Sequence, residues 1–142
     1  MTKAETDPIT DDEFLLRRIR RERLRPDQTP IISFKAFEPR TKGREPDVDG
    51  ISMFRLACLA NPGAIVGDAT DNGVVQIPAS ELRRLGLTIN SSPVPSIPGH
   101  VVIRELNAAE WLNSKNRLKM IAEELAVVAS QPSNILIWPT LE

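Results

Sequence analysis

The chain has 142 residues, 41% apolar and 26% charged, with a formal net charge of −1. That length suits one domain and one core, and the balanced charge excludes a general attraction to nucleic acid or anionic membrane, so any polyanion site must be local. One cysteine, Cys58, and one histidine, His100, exclude an internal disulfide and a Cys/His zinc site.

The first ten residues have little to bury and are expected to form a flexible end, followed by a single α+β domain over residues 11–142. No apolar run approaches the roughly 20 residues that span a bilayer, and the start MTKAETDPITDDE is acidic where a secretory signal is basic and then apolar. The expectation is a cytoplasmic protein. Thr10 and Glu13 have the spacing of a capping box, which predicts at least one helical turn there. Residues 15–19 fit a strand better than a helix, and six arginines crowd residues 17–25. Those arginines read either as a solvated face paired with Asp11, Asp12 and Glu13 or as a phosphate- or RNA-binding patch. The scarcity of aromatic side chains, with no tyrosine at all, counts against stacking of single-stranded bases.

The stretch 33–56 looks like the centre of the design: two apolar segments flank a loop of proline, glycine and charge. Residues 31–37 are rich in β-branched and aromatic types and predict a strand ended by Pro39, and residues 51–56, after the Asp49-Gly50 turn, predict a half-buried strand. Asp47 and Asp49 lack the longer ladder of oxygens that a calcium loop uses, so no metal is expected. Cys58, within LACLA, reads as a core residue.

Short strands are expected near residues 64–66, 74–77 and 87–89, and a helix over 78–85 with proline in its first turn and Gly86 at its stop. Residues 91–99 contain three prolines and must run extended without a ladder. Residues 100–104 read as the best buried strand. From Asn107, a good N-cap, apolar residues recur at helical spacing to Ser130, which predicts one helix of about six turns. A final strand over 134–139 is apolar enough to dock centrally. The fold class is therefore α+β: a single domain with a mixed or antiparallel sheet, one long helix in the C-terminal half and one or two short helices.

No phosphate-cradling glycine loop, nucleophile elbow or dinucleotide fingerprint is present. The candidate catalytic residues are Arg18, Ser52 and His100, because His100 opens a strand and histidine is the residue type suited to proton transfer near neutral pH. The candidate ligand-binding residues are Arg17, Ser33 and Asp49. The order of Leu15-Leu16-Arg17-Arg18-Ile19, Ser33 with Phe37, Asp49-Gly50-Ile51-Ser52, Pro98-Gly99-His100 and Ile137-Trp138-Pro139 resembles a set of small bacterial proteins of undefined function. The resemblance covers residues 12–139 and implies one domain but no activity, and the helix after Asn107 is longer and less basic than those relatives lead one to expect.

Three functions follow as expectations. The first is a non-catalytic accessory or protein-interaction module of a bacterial or mobile-element system, its partner encoded nearby, with no cofactor. The alternative is a small nucleotide- or NAD-using enzyme with its site at Arg17 or Arg18, Ser52 and His100, by loose analogy with ADP-ribosyl transfer folds. The late catalytic glutamate of that chemistry has no convincing counterpart, since Glu105 and Glu110 are merely nearby. A third reading is an RNA-binding module using residues 17–25.

Overall fold

Alternation along the first strand sets up the molecule. In β1 (Phe14–Arg20), Leu15, Arg17 and Ile19 point to one face and Leu16, Arg18 and Arg20 to the other. Leu15 and Ile19 join the larger apolar cluster, whereas Leu16 belongs to a smaller one on the opposite side. The computed structural model describes residues 2–139. The other strands are β2 (Ile51–Arg55), β3 (Asn72–Pro78), β4 (Ile89–Ser91), β5 (His100–Ile103) and β6 (Ile135–Ile137), and the helices are α1 (Ala79–Arg84), α2 (Ala108–Asn113) and α3 (Lys115–Ala129). The strands form one sheet in the order β4-β5-β2-β1-β3-β6 in which every pairing is antiparallel. This is the α+β class expected from the residues.

The larger cluster lies between the sheet and the helices. Leu15, Met53, Ile77 and Val101 meet Phe37, Trp111 and the buried stripe Leu118, Ala122, Leu125 and Ala129 of α3. The opposite face is thinner, with Leu16, Leu59, Ile65 and Val74 covered by short 3-10 turns at Leu56–Cys58 and Pro62–Ile65 and by Ile97. Cys58 is buried at that seam, as its apolar setting implied, and burial pushes its thiol up.

Several local expectations are corrected. Residues 31–37 do not form a strand: the Ser33 hydroxyl accepts from the Lys35 amide at 3.2 Å and caps a 3-10 turn, Phe34–Phe37, that drops Phe37 into the core. Ile32 keeps only an isolated bridge to Leu24 and gives its amide to Ser130 Oγ at 2.9 Å. The segment at 64–66 lies in and just after the 3-10 turn Pro62–Ile65, and the strand expected at 87–89 begins at Ile89. Asn107 caps as expected, its side chain accepting from the Glu110 amide at 2.9 Å. The helix that follows breaks at Ser114 (φ −128°, ψ 41°), where Asn113 and Ser114 are both weak helix formers.

The last strand, expected at the centre, lies at the sheet's edge. Its apolarity is divided between two layers, Ile135 packing with the helix side and Leu136 and Ile137 with the other, and prolines at 132 and 139 bracket it. Glu13 does reach back to the Thr10 amide at 3.0 Å, but Thr10 Oγ1 turns to Asp12 and the chain makes a turn, not a helix.

The opening segment, expected to hang free, is tied down: Lys3 N donates to the Ala57 carbonyl at 2.6 Å, Arg83 Nη2 to the Ile9 carbonyl at 2.8 Å, and one buried side chain makes the most bonds to it. Arg55, 1% exposed, grips the Glu13 carboxylate through Nε (2.9 Å) and Nη2 (2.8 Å) and donates to the carbonyls of Glu5, Asp7 and Pro8. All five of its N–H groups are used. Two glycines keep β2 and β5 close: Gly50 (φ 126°), where a Cβ would run into the Ile103 carbonyl, and Gly99 (φ 85°), where it would come within 2.8 Å of Cys58 Cβ.

Candidate functional site

β1 and β3 pair along seven residues, but β1 and β2 pair only at Leu15↔Arg55 and Leu16↔Phe54. Beyond that point the Arg17 side chain replaces the ladder. Its Nη1 donates to the Ser52 carbonyl of β2 at 2.7 Å, and its Nε to the Ala36 carbonyl of the capped turn at 3.0 Å. A cavity of about 480 Å³ opens here. Six cationic side chains line it (Arg17, Arg18, Arg20, Arg23, Lys35, Arg40) against two carboxylates, Glu38 and Asp47, an excess of four positive charges. Phe54, Ile65 and Ile97 add apolar wall.

Asp47 is already engaged, since its oxygens take the Arg40 amide at 2.7 Å and Arg40 Nη2 at 3.2 Å. Arg20 reaches Glu22 at 3.7 Å. The side chains of Arg18, Arg23 and Lys35 make no hydrogen bond or ion pair with any described residue. Arg17 bonds only neutral carbonyls, and burial, reinforced by the nearby charges of Arg40 and Arg18 and only partly offset by Asp47, holds its guanidinium down at about 10. Arg17 is half-buried at the cavity wall, and a cation partly withdrawn from water with no bonded carboxylate among the described residues is costly unless something else satisfies it.

Ser52 lies on the cavity wall, and the sheet register puts His100 behind it. Ser52 faces Val102 and Phe54 faces His100 across the β2–β5 ladder, so Ser52 and His100 are diagonal neighbours on one face. His100 Nε2 is 2.9 Å from Ser52 Oγ, and Nδ1 is 2.6 Å from the Ser92 carbonyl. A carbonyl can only accept, so Nδ1 carries the proton and Nε2 accepts from the serine hydroxyl. The Phe54 ring meets the imidazole edge-on at 5.2 Å between centroids.

Of the residues singled out from sequence, Arg17, Arg18 and Ser52 line the cavity, and His100 joins them through Ser52. Ser33 does not, because it is buried as the cap of the 3-10 turn. Asp49 is exposed and lies off the cavity wall. Glu105 accepts from the amide and hydroxyl of Thr88, at 2.8 and 2.7 Å. Asp11 pairs with Arg83 and Glu13 with Arg55, so the arginine run does not face the acidic start of the chain. Lys35 and Arg40 were missed. The signal available for Arg40 was its position at the mouth of a loop that Asp47 closes, with Asp47 N donating to Arg40 O at 2.8 Å.

Among the described residues no group of three or more His, Cys, Asp or Glu side chains is placed to hold a metal ion, and no helix is long and apolar enough to cross a membrane. No family model matches the chain, and no curated protein or solved structure shows significant similarity to it.

Proposed function

We propose that the cavity beside Arg17 binds a small phosphate-bearing ligand of the nucleotide class. The observation that carries this reading is Arg17 itself: a half-buried guanidinium that spends two of its five donors on neutral carbonyls, in a wall where the side chains of Arg18, Arg23 and Lys35 lack partners among the described residues. An oxyanion with several acceptors is the complement of such a wall, and guanidinium forks match phosphate geometry. A cavity of about 480 Å³ is of the size that encloses a small organic ligand, and Phe54, Ile65 and Ile97 offer apolar surface to a base or sugar. Extended single-stranded RNA fits less well, because the wall offers one aromatic ring for stacking.

Calorimetric titration of the full chain with ADP, ATP and inorganic phosphate at low and moderate salt tests the reading. Nucleotide binding that weakens with salt and is lost in Arg17→Met is the expected result. No heat with any of the three, or equal affinity in the variant, overturns it. Tight binding of an oligonucleotide alone moves the function to RNA.

A second reading, the interaction module, draws on another surface: Leu112, Met120 and Val127 are 67%, 67% and 53% exposed, the last two seven residues apart on α3. A Met120→Glu, Val127→Glu variant that loses a defined partner while keeping ADP binding separates the two.

A further inference from the structure

We propose that Ser52 is a nucleophile that accepts a phosphoryl group from the ligand held in this cavity, with His100 as its general base. The inference takes its substrate class from the phosphate-binding reading above; its own support is the geometry of the dyad. Ser52 Oγ sits 2.9 Å from an imidazole nitrogen whose lone pair is aimed at it, because the Ser92 carbonyl, 2.6 Å from the other nitrogen, fixes the tautomer. In serine hydrolases a buried carboxylate does that orienting work, and the tautomer is the part of its role a carbonyl can replace. The register supplies the placement: a slip of one residue would turn Ser52 toward the helices, whereas here its side chain leaves the sheet on the face of Leu16 and Arg18, and Arg17, on the helix face, reaches its backbone carbonyl. Phe54 and the Ser92 carbonyl are positioning groups, holding the ring from its edge and from behind.

The step balances without a redox partner. Ser52 Oγ attacks phosphorus, and an Oγ–P bond forms as the bond from phosphorus to the leaving oxygen breaks. The electron pair departs with that oxygen, which belongs to a nucleoside monophosphate when the substrate is a nucleoside diphosphate attacked at its terminal phosphorus. The hydroxyl proton passes to His100 Nε2 and from there to the leaving oxygen, which restores the neutral ring. Arg18, on the same side of the sheet as Ser52 Oγ, offsets the charge that collects on the peripheral oxygens; water then attacks the phosphoserine and gives a proton to the neutral His100 ring, which returns it to Ser52 Oγ as the O–P bond breaks and phosphate leaves.

A fluorophosphonate probe tests this, since attack by a serine oxygen forms a P–O bond and expels fluoride. The full chain is incubated with the probe, with and without ADP, and the adduct is located by intact mass and peptide mapping. One adduct at Ser52 is expected, slowed by ADP, absent in Ser52→Ala and formed at least about 100-fold more slowly in a folded His100→Gln variant, the usual contribution of a general base. If that variant does not fold, the wild-type rate at Ser52 is compared with the rate in urea, and an activated serine reacts faster in the folded chain. No adduct, an unchanged rate in His100→Gln, or equal rates folded and unfolded overturns the proposal. ADP binding with no adduct removes the nucleophile and leaves the ligand reading standing, whereas an adduct that ADP does not slow removes the phosphate substrate class.

Discussion

Two arginines on neighbouring strands are held in this protein in opposite ways, one in the interior and one half-buried at a cavity wall. Arg55 of β2 is matched to a carboxylate and three carbonyls, its five donors are all used, and its hydrogen bonds to the Glu13 carboxylate outweigh burial to hold its guanidinium above the ordinary value. Arg17 of β1 meets two carbonyls and no bonded carboxylate among the described residues, and burial holds it below the ordinary value. The contrast teaches how to tell a structural cation from a binding one. A chain that builds a complete shell around one arginine and leaves the other with spare donors at a cavity wall has assigned them different work.

The largest expected effect falls on Arg55. Arg55→Met or Glu13→Gln strands the partner charge or leaves it half-satisfied in the interior, and either is expected to cost roughly 3–5 kcal/mol in urea-monitored unfolding. Loss of protection in residues 3–13 by hydrogen exchange should accompany it, because Arg55 holds that segment.

The same pair sets the acid limb of stability. Burial alone would raise Glu13, but the Arg55 and Thr10 hydrogen bonds outweigh it and hold the carboxyl below its usual 4.5. A depressed carboxyl contributes stability that is present above the unfolded value and is lost as pH falls through the folded one. Unfolding free energy should therefore decline below about pH 4.5, and Glu13→Gln should flatten that decline; an unchanged slope would break the assignment.

Arg17→Met sharpens the comparison from the other side. Water in the cavity can take over the two freed carbonyls, so the fold should change by no more than about 1 kcal/mol, while ADP affinity should fall about 10- to 100-fold as a charge-assisted contact is removed. Matching losses of stability in Arg17→Met and Arg55→Met would erase the distinction. The smallest effect belongs to Arg18→Gln, an exposed cation at the rim: a few-fold loss of ADP affinity and a shallower salt dependence, with unchanged melting.

The periodic elements were legible in the residues. Alternation marked β1 and β2, the Asn107 cap and the spacing after it marked the C-terminal helices, and Pro78 with Gly86 framed α1. Where local chemistry competed with composition, composition misled: Ser33 turned a β-rich run into a 3-10 turn, and Ser114 broke a helix whose apolar spacing continues through it. The edge position of β6 was hidden because an apolar strand divided between two layers reads like a fully buried one. The site was half legible. Residue type nominated Arg17, Arg18, Ser52 and His100, but only the β2–β5 register, a long-range property, could show that Ser52 and His100 touch. Arg55 gave no warning, since a charged residue at the end of a half-polar strand looks like a surface residue until the segment from Glu5 to Glu13 folds over it.

The most direct measurement is the thermal shift produced by ADP in the wild-type chain and in Arg17→Met at equal, modest salt. A ligand that binds only the folded state raises the melting temperature by an amount that grows with the logarithm of its concentration over Kd. A clear rise in the wild type and little or none in a folded Arg17→Met variant is the predicted result. No rise in the wild type, or the same rise in both, would contradict the claim that Arg17 is held at the cavity wall to receive a phosphate.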